Sequence, residues 1–183
     1  MNKRVLCAWL PNWPIQRLRA ARSELDVCPV VLWREVPGRG QRVVACSDEA
    51  VRCGVRIGAP LANVASLGQR MAREGHCEEH RPTDDLAALE KLAVLCERFS
   101  PTVGLEQAAE NEPPSSLLLN VTGLTHLFKS EQRLAEQLIA VCRRWRYTVQ
   151  VAVADTVGAA WAGSHFVDQS CIPSTSSPEV AVI

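Results

Sequence analysis

Residues 6–14 read LCAWLPNWP, and where this stretch lies decides the architecture. Residues 4–10 are an apolar run of strand length, and Pro14 suits the first turn of a helix with Ile15, Leu18 and Ala21 or Arg22 as its stripe. If this strand pairs with strands from the second half of the chain, the outer segments build one βαββαβ sheet and the residues between become an insertion. The strand's exit is unusual. Carboxylates or glycines often gather at such an exit around a ligand, yet here it carries Trp9, Pro11, Trp13 and Pro14.

Working outward, CPVVLWRE (28–35) and QRVVACS (41–47) are Val-rich runs joined by VPGRG, the pattern of a β-hairpin with a longer loop. Ser47 caps a helix whose first turn holds Asp48 and Glu49, and Cys53-Gly54 ends it. Another short helix starts from Pro60, and the polar stretch 70–82 reads as a connector between sub-domains. Thr83 or Asp84 caps a helix striped by Leu86, Leu89, Leu92, Ala93 and Cys96, which stops by Ser100-Pro101. TVGLEQ and SSLLLNVTG (115–123) read as strands on either side of a polar loop. A helix with Leu134, Leu138, Ile139, Cys142 and Trp145 on one side follows, then the strand YTVQVAVAD and a short helix over 156–166. Residues 170–178 have the Ser/Thr/Pro composition of a linker.

An apolar content of 47% is that of a globular protein and excludes disordered or collagen-like chains. No run approaches the roughly 18 apolar residues of a membrane span, and the Trp, Asn and Pro residues before position 15 break any signal-peptide core. A cytoplasmic protein is expected. The net charge is zero but uneven: residues 1–82 carry 13 Lys/Arg against 8 Asp/Glu, residues 83–183 carry 7 against 12. A basic front half can lie near phosphate, although ordinary surfaces also show such a bias.

Eight cysteines, at 7, 28, 46, 53, 77, 96, 142 and 171, include no CxxC pair. They read as reduced thiols packed as small hydrophobes. A zinc site built from His76, Cys77 and His80 lacks a second ligand pair, so no metal site is expected. The polar surroundings of His76 and His80 point to solvent exposure, and His126 reads as a packed or capping residue. Ser115 and Ser116 lack any GxSxG elbow and are not read as nucleophiles.

Four stretches then line up, in order, with one family. RVVACSDEAVRCGVRIGAPLANVASL (42–67) resembles the fingers segment of the Y-family (UmuC/DinB-like) translesion DNA polymerases. CERFSPTVGLE (96–106) resembles their helix-to-strand step, and LLLNVTGLTHLF (117–128) their Asp-Val-Thr-Gly strand with its Leu-Phe pair. WLPNWPIQRLR (9–19) resembles the opening of the ImuB-like subfamily, which has the polymerase shape without the polymerase chemistry. The resemblance implies an α+β fold: a ferredoxin-like palm from 1–12 and 83–169, a fingers-like insertion over 13–82, and a 170–183 linker toward a thumb that the sequence does not contain, as in a fragment or a short product.

In that family three acidic residues hold two magnesium ions against the primer end and the nucleotide phosphates. The resemblance places Trp9 and Pro11 on the first pair of metal positions and Ser115 and Ser116 on the second. Nucleotide-gripping Tyr and Arg fall on Asp48 and Val51, and two palm lysines on Val157 and Trp161. What it implies is a non-catalytic adaptor in damage-induced translesion synthesis, with no cofactor and no catalytic residue. Its implied partners are DNA, an error-prone replicative-type polymerase, a RecA-like accessory protein and the sliding clamp, in the bacterial nucleoid. Trp9 and Trp13 are expected to fill the vacated metal space, with Pro11 fixing the turn. Arg17, Arg19 and Arg22 are candidate DNA-backbone contacts; Arg143, Arg144 and Arg146 read instead as a favourable helix end. Two other readings stay open: an active polymerase using displaced carboxylates from Glu106, Glu110 or Glu112, and an interaction module that no longer binds DNA.

Overall fold

The apolar run at the start of the chain becomes strand β1 (Val5–Trp9), and it lies in the middle of a sheet drawn mostly from the second half. The structure, a computed structural model, describes residues 3–64, 66–67, 69–107, 113–166 and 180–182. In chain order β1 is followed by α1 (Trp13–Ala21), a single 3-10 turn (Ser23–Leu25), β2 (Val30–Val36) and β3 (Gly40–Cys46). Next come α2 (Asp48–Arg52), α3 (Leu61–Val64), α4 (Gln69–Glu74), β4 (His76–Glu79) and α5 (Pro82–Cys96). The chain continues through β5 (Val103–Leu105), β6 (Ser116–Asn120), α6 (Thr125–Phe128), α7 (Glu131–Arg144), β7 (Gln150–Ala154), α8 (Val157–Phe166) and β8 (Val180–Val182). Two compact units result, Asn12–Asp85 and Met1–Pro11 with Leu86–Ile183, and the division falls inside the first turn of α5.

The discontinuous unit holds a five-stranded sheet in the order β5-β6-β1-β7-β8. β1 runs antiparallel to both β6 and β7, which is the α+β, βαββαβ arrangement the sequence implies. Strand alternation divides its residues between two faces. Leu6, Ala8, Leu117, Leu119, Val151 and Val153 are buried on one; Val5, Cys7 and Ala154 on the other pack with Ala160 and Trp161 of α8. Helix α7 buries Leu134, Ala135, Leu138, Ile139 and Cys142, the stripe expected from its spacing, and Ser130 caps it by accepting from Arg133 N–H at 3.1 Å. Trp145, expected on that stripe, is exposed, because the helix stops one residue earlier. Arg4 ties two elements together, its guanidinium bonding Glu131 at the start of α7 and Asp155 after β7.

The continuous unit holds a three-stranded sheet, β3-β2-β4. The expected hairpin is its core: β2 and β3 pair antiparallel, with a register shift at Leu32/Trp33. Ile15 and Leu18 of α1 pack with Val30, Leu32 and Ala45 on one side, while Val31, Val43, Ala50, Val55 and Val64 form a second cluster. Ser47 caps α2 as expected, its hydroxyl accepting from Ala50 N–H and from Val30 N–H.

Two sequence expectations are corrected here. Residues 70–82 are not a plain connector: they contain α4 and β4, and β4 pairs parallel to β2. The polar inward residues of this edge strand carry no hydrophobic signal; Glu78 is held by Arg22 instead. The 170–183 segment ends in a strand, with Val180 opposite Val151 on the edge of the larger sheet; the rest of the expected linker lies outside the described residues.

Candidate functional site

In the five-stranded sheet, four residues form one row across the strand ends: Glu106, Ser116, Trp9 and Gln150. Trp9 is the register partner of Ser116 on one side and of Gln150 on the other. Glu106 stands one residue past β5, where its N–H donates to Ser116 O at 3.1 Å. Leu10 N–H donates to Ser115 O at 2.9 Å, fixing the loop before β6 against the end of β1. The residues set by resemblance at the first and second metal positions, Trp9 with Pro11 and Ser115 with Ser116, are therefore brought together by the fold.

Helix α8 roofs this row with aromatic rings. His165 stacks on Trp9 with centroids 4.3 Å apart and on Trp161 at 4.1 Å, so an imidazole is held between two indoles. Trp161 and His165 are one helical turn apart, which is why both rings reach the same place. The Trp161 indole N–H donates to Glu106 Oε1 at 2.5 Å. His165 Nδ1 lies 2.8 Å from Trp161 O. The Ser164 hydroxyl lies 3.2 Å from Cys7 Sγ. Burial pushes the Cys7 thiol up to about 11, with Ser164 opposing and the Glu106 charge reinforcing it. Ser116 Oγ is buried and makes no hydrogen bond of good geometry, although its dipole acts on the Cys7 thiol.

This donor set does not fit a magnesium pair. Magnesium takes hard anionic oxygens in near-octahedral array, and the row offers an indole, a carboxamide, a hydroxyl and one carboxylate. That carboxylate already accepts the Trp161 N–H. Among the described residues no three of His, Cys, Asp and Glu group as a metal site. Glu110 and Glu112 lie outside the described residues.

The ring stacked on Trp9 is not the expected one. Trp13 is buried in the other unit at the start of α1, its indole N–H donating to Asp85 O at 3.0 Å. Asn12 makes this possible by taking a left-handed φ of 50° between β1 and α1 while its side-chain amide donates to Cys46 O. The sequence reading missed His165 altogether; its spacing from Trp161 was the available signal.

In the continuous unit, Asp48 and Val51 are both exposed on α2, three residues apart. The three arginines expected at a DNA backbone are each paired with a carboxylate. Arg17 Nε meets Asp85 Oδ1 at 2.5 Å, Arg19 meets Glu49 at 2.6 Å, and Arg22 meets Glu78 at 2.5 Å. Arg19 also donates to Leu25 O and Cys28 O, which closes the turn after α1. These ion pairs lie within the continuous unit and link its elements.

The histidine expectation is corrected as well. His76 and His80 lie on and just past β4, and His80 is buried, with Nε2 2.6 Å from Asp85 Oδ2. Asp85 is itself fully buried between Arg17 and His80, a long-range partnership that polar neighbours in sequence conceal. Cys77 is exposed, so the three do not converge as zinc ligands. His126 is an exposed local cap, Nδ1 2.6 Å from Gly123 O.

With this geometry in view, comparison with known proteins is informative. The sequence is 39% identical over 88 residues to Protein ImuB of Caulobacter vibrioides; the match covers 48% of this chain and only 18% of the relative. The fold is similar to that of Dbh DNA polymerase in a post-insertion binary complex, with a TM-score of 0.75 at 16% identity, covering 98% of this chain and 48% of that one. DinB from Sulfolobus solfataricus gives 0.71 at 16% identity, with 98% and 48% covered. No helix among the described residues is long and apolar enough to cross a membrane. Residues 9–165 match the impB/mucB/samB family, so the Y-family resemblance of the four motifs is real and the chain belongs to that family.

Proposed function

We propose that this chain is the palm and fingers of a Y-family-like protein without nucleotidyl-transfer activity, serving as an adaptor in DNA-damage tolerance. The observation that carries this reading is the filled row. Where the family would set carboxylates, Trp9 is stacked under His165 and Trp161, and Glu106 is taken up by an indole. Clustered carboxylates without cations repel one another, whereas stacked rings stabilise the same space. Asp48 and Val51 support the reading from the other unit: an exposed carboxylate and an isopropyl group offer a triphosphate no grip.

The adaptor's partners in this reading are DNA, an error-prone replicative-type polymerase, a RecA-like accessory protein and the sliding clamp. Cytoplasmic, nucleoid-associated location goes with them. The curated relative is far longer than the matched stretch, so these partners concern the whole protein.

Primer extension with magnesium or manganese, on a protein extended to its relatives' full length, is the test. The reading expects no extension with either metal. Extension abolished by Glu106→Gln would instead support a polymerase using displaced carboxylates. Loss of all primer–template binding would favour a pure interaction module.

A further inference from the structure

The end of α7 carries the run Arg143-Arg144-Trp145-Arg146, and all four residues are exposed. Trp145 is 53% exposed and is the one large apolar side chain between residues 131 and 154 left in this state. The helix stops by paired bonds, Tyr147 N–H to Cys142 O at 2.9 Å and Arg146 N–H to Arg143 O at 2.8 Å. Such a stop needs a left-handed residue, a place that glycine normally takes. Here Arg146 takes it, with φ 67°, accepting the backbone strain that a side chain brings there.

The charge is concentrated. The discontinuous unit has nine Lys/Arg against ten Asp/Glu, yet three of the nine stand within four residues, and no carboxylate occurs between Glu136 and Asp155. Basic residues at a helix C-terminus favour the dipole, but that accounts neither for an arginine at a glycine position nor for the exposed indole between the cations.

From this we infer that the Arg143–Arg146 corner binds single-stranded nucleic acid, with guanidiniums on successive phosphates and a base stacked on Trp145. An indole face amid cations is the chemistry of sequence-tolerant strand binding. A folded protein partner is the poorer fit. A stable protein interface buries about 800 Å² on each side, whereas this corner offers one indole of at most about 250 Å²; a stacked base needs no more. The inference is separate from the catalytic question, since binding here involves no metal, nucleotide or primer end.

Fluorescence anisotropy of a labelled oligothymidylate, titrated with the full chain between about 50 and 200 mM salt, tests it. Three phosphate contacts give a log–log salt slope of about −2, and loss of one cation in Arg144→Gln or Arg146→Gly reduces that slope by about 0.7. Trp145→Ala weakens binding about tenfold. Arg144→Gln and Trp145→Ala change exposed side chains and melt close to the unaltered chain, so their lost affinity does not come from unfolding. Absence of binding by the unaltered chain overturns the inference, as do Trp145→Ala and Arg144→Gln variants that bind like it. So does displacement of the strand by a polyglutamate peptide with no sensitivity to Trp145→Ala.

Discussion

Trp9 and Ser116 are direct partners across the β1–β6 ladder, side chains on the same face at the same end of the sheet. That pairing joins the first residues of the domain to a strand more than a hundred positions away. It sets rings and a hydroxyl together at one place in the fold.

If the rings hold this place, removing one must cost stability. Trp9→Ala loses the stack on His165 and leaves a gap under α8. The expected cost is about 2 kcal/mol, below that of a fully buried tryptophan because Trp9 keeps some exposure. Trp9→Asp should cost more, since it also sets an unpaired charge on a packed face. Urea denaturation of the two variants checks the order; an aspartate variant as stable as the parent contradicts it.

Asp85 is the polar keystone of the other unit. It is fully buried, with Arg17 on one carboxylate oxygen and His80 on the other. Asp85→Ala leaves both partners uncompensated and should cost about 3 kcal/mol. Denaturation midpoints measure this, and a loss near zero would show that the pairs are replaceable by water.

Glu49 gives the same unit an acid limit. Burial pushes its carboxyl up, but the Arg19 guanidinium, Ser47 and the backbone outweigh burial and hold it at about 2 instead of the usual 4.5. The folded pKa lies below the unfolded one, so the unfolded chain takes up the proton first as pH falls. Glu49 therefore contributes stability that is whole above about 4.5 and fades toward about 2. Melting temperatures across that window should fall less steeply for Glu49→Gln, which starts lower at neutral pH. Parallel curves would contradict the linkage.

The thiols divide by exposure. Burial pushes Cys96 and Cys142 up to about 12 and Cys7 to about 11, while Cys77 is exposed on β4. Alkylation of the native protein near pH 8, followed by mass spectrometry, should mark Cys77 well before those three, which react only after unfolding.

The parts of the fold readable in sequence are those with an apolar signal. β1 is one unbroken run, the β2–β3 hairpin is rich in valine, and α7 shows its stripe at helical spacing. β4 was unreadable because it is a polar edge strand whose inward residues are satisfied by ion pairs. His80 looked exposed because its burial depends on Asp85 and the packing around it, not on its neighbours in sequence. At the candidate site, the motif register singles out Trp9 and Ser116, and the ladder sets them opposite each other. The identity of the filling rings was not readable: Trp13 was nearer in sequence, but the left-handed turn at Asn12 leads it into the core of the other unit, and α8 supplies His165 instead.

Manganese titration followed by electron paramagnetic resonance shows whether the groups at the Trp9 end of the sheet retain divalent cations. At millimolar manganese the expected result is the full free-ion signal of buffer alone, unchanged by adding protein. Two ions bound per chain, lost on Glu106→Gln, would contradict it.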